Sequence, residues 1–103
     1  MAERFYKQPT EVKDYDINSV DYFEDIDDEW ASATFAIDNV TVPPLEIGPG
    51  AQAEYELVGT PPQIVKVWVG GGLDGEKYKV TALLTSVAGR VEEEEFYVKV
   101  KDT

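Results

Sequence analysis

The chain has 103 residues, with 21 Asp and Glu against 9 Lys and Arg, a formal net charge of −12, and a length that makes one domain. It contains no Cys and no His, which excludes disulfides, a thiol nucleophile, an imidazole base and the usual ligands of structural zinc, haem or iron–sulfur centres. So acidic a body repels phosphate backbones and anionic membranes, leaving basic protein surfaces or divalent cations as attractive partners.

Met1 to Pro9 (MAERFYKQP) lacks the apolar core of a secretory leader, so the expectation is synthesis in the cytoplasm of the producing cell. Residues 1–9 are expected to be an N-terminal extension, tied down by Phe5 and Tyr6 if at all, ahead of a domain spanning 10–103. A weak strand is predicted over Glu11–Ile17. Ser19–Asp28 reads as a turn of helix or an irregular acidic loop, rich in carboxylates and poor in apolar face. Trp30–Ile37 (WASATFAI) alternates, with Ala31, Ala33, Phe35 and Ile37 as the apolar set, and Asp38-Asn39 ends it in a turn. Weaker strands are predicted at Val40–Val42, Leu45–Ile47 and Ala53–Val58. Gln63–Val69 sets Val65, Val67 and Val69 against Ile64, Lys66 and Trp68, and lies between Pro61-Pro62 and Gly70-Gly71-Gly72, the latter read as a flexible turn.

The strongest period of two lies near the C-terminus. Tyr78, Val80, Ala82 and Leu84 share one face of GEKYKVTALLTS, and Phe96, Val98 and Val100 share one face of VEEEEFYVKVKD. Val87-Ala88-Gly89-Arg90 joins the two as an antiparallel hairpin, which places Lys77 and Lys79 near the Glu92–Glu95 run. No window sustains a 3.6-residue period, so the prediction is all-β, a sandwich of about seven antiparallel strands. Its core is expected to comprise Phe35, Ile37, Val65, Val67, Val69, Tyr78, Val80, Leu84, Phe96, Val98 and Val100.

Asp74 stands four residues before Tyr78 and Val80 two after it. This spacing resembles the tyrosine corner of immunoglobulin-like sandwiches, in which the hydroxyl returns to nearby backbone. The fold expected is therefore a single immunoglobulin-like (fibronectin III-like) β-sandwich.

Asp14, Asp16, Asn18 and Asp25 fall at ligand positions of an EF-hand loop, but Ser19 replaces the required Gly and Asp25 is shorter than the bidentate Glu. The weak candidates for a looser cation site are Asp21, Glu24, Asp25, Asp27 and Asp28; the alternatives are a solvated loop, or a docking surface for a basic neighbour that includes Asp27, Asp28 and Glu29. No cofactor is expected. Runs of exposed carboxylates do not provide the raised-pKa acid of a glycosidase, so no catalytic residues are assigned. Trp68 alternates out of register with Val67 and Val69: either a bend returns it to the core, or it is an outward interface anchor whose patch Leu83 and Tyr97 extend.

Asp14-Tyr15-Asp16, Trp30-Ala31-Ser32-Ala33-Thr34, Val67-Trp68-Val69-Gly70-Gly71-Gly72, Tyr78-Lys79-Val80-Thr81 and Ala88-Gly89-Arg90-Val91 together resemble the small immunoglobulin-like fibre-tail adaptor proteins of tailed phages and prophages. The resemblance spans residues 10 to 101; the longer stretch Pro43–Pro62 and the acidic Glu24–Glu29 depart from it. It implies a non-enzymatic virion protein, made in the host bacterial cytoplasm, whose partners are tail, connector or fibre subunits, with self-association open and no nucleic-acid or membrane partner. Capsid decoration, a tail-tube or head-completion role, or a calcium- or carbohydrate-binding module of the same fold are the alternatives.

Overall fold

Alternation survives folding nearly residue for residue in the C-terminal half. A computed structural model describes residues 3–50 and 53–102, and among these it is all-β, without helix. The strands are β1 (Glu3–Lys7), β2 (Lys13–Asn18), β3 (Trp30–Ile37), β4 (Leu45–Ile47), β5 (Tyr55–Gly59), β6 (Pro62–Gly71), β7 (Lys77–Ser86) and β8 (Val91–Val100). One sheet runs β1-β8-β7-β3; the other has β6 at its centre, with β2 on one side and β4 and β5 on the other. This order is compatible with an immunoglobulin-like sandwich.

The β7–β8 hairpin pairs as expected, Lys79 opposite Tyr97 and Thr85 opposite Val91. Lys79 reaches Glu95 at 3.6 Å, whereas Lys77 lies opposite Lys99, away from the Glu run, with its ammonium 5.1 Å above the centre of the Tyr97 ring. The inward residues of β6, β7 and β8 (Val65, Val67, Val69, Tyr78, Val80, Leu84, Phe96, Val98 and Val100) are all buried. Tyr78 closes its corner: its hydroxyl accepts from the Leu73 N–H at 2.9 Å and lies 2.6 Å from Thr41 Oγ1.

Four expectations are corrected. Val40–Val42 is not a strand, and Val40 and Val42 are almost fully exposed. Residues 3–7 of the expected extension form β1, which pairs in parallel with β8 and makes the sandwich eight-stranded; residues 1 and 2 lie outside the described part. Phe5 stacks on Tyr15 and Phe96, whose rings lie 4.3 Å apart, and Lys7 is buried. In β3 a bulge between Trp30 and Ser32 turns Trp30 inward and leaves Ala31 exposed, while Ala33, Phe35 and Ile37 keep the expected inward face, the last two half-buried against the core. Finally, Gly70 and Gly71 are not a turn but the end of β6. There β4 pairs with them, and a Cβ on Gly71, at φ 66°, would meet the Pro44 carbonyl at 2.5 Å.

Candidate functional site

The residues expected to form one patch lie on two faces. Trp68 is on the outer face of the β6 sheet, half-buried, its indole N–H donating to Glu56 at 3.2 Å. The bend that would bring it into the core is absent, and its backbone pairs with Asp14 of β2. Leu83 (44% exposed) and Tyr97 stand on the outer face of the opposite sheet, so they do not extend a patch around Trp68. Period two fixes which residues share a face of one strand, but not which sheet the strand joins.

Asp14 and Asp16 share Lys66, at 3.1 and 3.5 Å. The hydrogen bond from Lys66 lowers the pKa of Asp14, and that bond raises the pKa of Lys66. Both carboxylates point from a straight strand toward a cation rather than around a calcium loop. Among the described residues no group of three or more Asp or Glu is placed to hold a metal ion.

The 19–29 loop proves amphipathic rather than uniformly acidic. Phe23 is buried and Tyr22 and Ile26 pack on the core, with Tyr22 stacked on Trp30 at 5.7 Å and Phe23 edge-on to it at 4.7 Å. Turn bonds Phe23 N–H to Ser19 O and Ile26 N–H to Phe23 O direct these side chains inward. Asp21, Glu24, Asp25 and Asp27 face solvent and Glu29 is half-exposed.

Asp28 leaves the surface set altogether. Its carboxylate accepts from the Glu29 N–H (2.8 Å), the Ala88 N–H (3.1 Å) and Arg90 Nη1 (2.7 Å), with its side chain 2% exposed. The Ser86 hydroxyl first, then these backbone and guanidinium donors, hold it well below the usual carboxylate range. It therefore ties the acidic loop to the β7–β8 turn, with its side chain turned away from solvent. Sequence reasoning missed Arg90 as its partner, because the two are 62 positions apart.

These features leave a sandwich of two sheets with Trp68 on one outer face and Leu83 and Tyr97 on the other. The family model for the podophage GP4 fiber-tail adaptor protein gp77 matches residues 7–99. The chain belongs to this fibre-tail adaptor family. The match begins within β1 and runs to the last residues of β8, so it covers both sheets of the adaptor fold. No curated protein matches this adaptor-family chain.

Proposed function

We propose that the protein is a non-enzymatic virion component that joins the phage tail or head–tail connector to fibres. The family match across residues 7–99 carries this reading. The contact surface proposed is the outer face of β3, β7 and β8. There Leu83 and Val91 are exposed on the sheet formed by the long β7–β8 hairpin, whereas Trp68 on the other face is tied to Glu56. An exposed apolar residue at the middle of a sheet face is a candidate anchor for a partner.

The test is complementation of phage that lacks the gene, with fibres counted on purified particles by electron microscopy. Particles without the protein should lack fibres; normal fibre numbers would overturn the adaptor role. Leu83→Asp should fold with an unchanged circular dichroism spectrum yet fail to restore fibres, and Trp68→Ala should fold and restore them. The reverse pattern would move the contact to the Trp68 face.

A further inference from the structure

The nine cations are dispersed in sequence, but strand register gathers several at one end of the sandwich. On the outer face of the β1-β8-β7-β3 sheet, Arg4 lies beside Tyr97, Tyr6 beside Lys99, and Lys99 beside Lys77. Lys101 follows directly after β8 and borders a cleft of about 410 Å³ that Tyr6, Lys13 and Glu11 also line, the last two paired at 3.7 Å. Among the described residues no carboxylate pairs within 4.0 Å of Arg4, Lys77, Lys99 or Lys101. Of the acids at this end, Asp74 accepts from the Asp102 N–H, Glu76 from the Asn39 amide, and Glu11 from the Gln8 N–H while pairing with Lys13.

The carboxylates concentrate at the other end. The 19–29 loop is fastened to the β7–β8 turn through Asp28–Arg90 and the Val87 N–H to Glu29 O bond, and Glu92–Glu95 begin β8 beside it. A ten-residue strand is roughly 33 Å long, longer than the two shorter dimensions of this 43 × 28 × 21 Å molecule, so β7 and β8 run along the long axis. The acidic loop and this tyrosine-bearing row of cations on the outer sheet face thus stand at opposite ends.

We propose that this outer-face patch, centred on Arg4, Tyr6, Lys77, Tyr97, Lys99 and Lys101, is a docking surface for an acidic segment of a different virion protein. Charge complementarity selects the partner: Arg4, Lys77, Lys99 and Lys101, with no carboxylate of the described residues within 4.0 Å and with Tyr6 and Tyr97 among them, take carboxylate side chains of an extended segment. A second copy fits poorly, because each copy carries a net charge of −12 and whole bodies repel. Only the identity of the protein that supplies the segment rests on the adaptor reading. Binding itself is measured on purified protein, so its failure leaves the fibre-count experiment standing.

The probe is a blocked hexaglutamate peptide titrated into the isotope-labelled full chain at about 50 mM NaCl, followed by amide chemical shifts. Shifts should concentrate on β1, the start of β7 and the end of β8, and Lys77→Glu/Lys99→Glu, with unchanged circular dichroism, should weaken binding at least about tenfold. Raising NaCl to about 300 mM should weaken it comparably. No shifts, shifts located elsewhere, or equal binding by the double variant would overturn the proposal. Tighter binding of a single-stranded DNA oligonucleotide at the same residues would overturn it in favour of nucleic acid. A concentration-dependent dimer by light scattering, abolished by the same variant, would overturn it in favour of a second copy.

Discussion

Asp28 shows what a buried carboxylate does when it collects donors from three directions. The Ser86 hydroxyl, two backbone N–H groups and Arg90 favour its ionised form, so its pKa falls on folding. A depressed folded-state pKa contributes stability that is fully present above the unfolded value, about 3.9, and is lost as pH falls through the folded one. Asp28→Asn should therefore lower the melting temperature by a constant amount above about pH 5, and the gap to wild type should begin to narrow near about pH 4 and shrink progressively as the pH falls further. Thermal scans of both proteins across pH check this; a gap that stays constant into strong acid would remove Asp28 as its source. Tyr78 acts through a neutral bond instead. Tyr78→Phe leaves the Leu73 N–H without its partner, while the Thr41 hydroxyl keeps its bond to the Pro43 carbonyl, and should cost about 1–3 kcal/mol in urea unfolding with little change in slope. The corner was legible from spacing alone, because Asp74, Tyr78 and Val80 are local. The Asp28 cage was not, since its donors Ser86, Ala88 and Arg90 arrive from a distant turn.

At the scale of elements, the most consequential departure is β1. Glu3–Lys7 (ERFYK) has no apolar–polar alternation to read as a strand, and Phe5 and Tyr6 gave no sign of their partners. Tertiary structure supplies them: β8 offers a free edge, Phe5 enters a stack with Tyr15 and Phe96, and the Lys7 ammonium donates to the Gln8, Pro9 and Gly71 carbonyls. The last of these bonds joins the two sheets. Burial holds the Lys7 ammonium below the ordinary lysine pKa, and three acceptors meet its three N–H groups. Removing residues 1–8 should destabilise the protein by at least about 3 kcal/mol. Chemical denaturation measures this, and an unchanged midpoint would return β1 to the role of an appendage. β3 teaches a related point: alternation placed Ala33, Phe35 and Ile37 inside correctly, whereas the bulge puts Ala31 outside and gives the deepest place to Trp30.

The whole molecule carries its charge unevenly. Exposed pairs such as Lys79–Glu95 are worth little individually, while a net −12 works against compactness over the entire surface. Raising NaCl from about 10 to about 150 mM should therefore increase the melting temperature, since screening acts more on the long-range repulsion than on close pairs. A steady decrease with salt would show that specific pairs, Lys66 with Asp14 and Asp16 foremost, outweigh the net repulsion.

By itself the sequence determined the class of fold, the inward faces of β6, β7 and β8, the tyrosine corner and the absence of thiol and imidazole chemistry. All of these depend on residue type or on spacing within one strand or turn. Only the tertiary structure decided that Trp68 and Leu83 face opposite ways, that Asp28 is an internal tie rather than a surface acid, and that dispersed cations meet at one end. Each of these is set by which strands become neighbours and in what register, and a period of two carries no information about either.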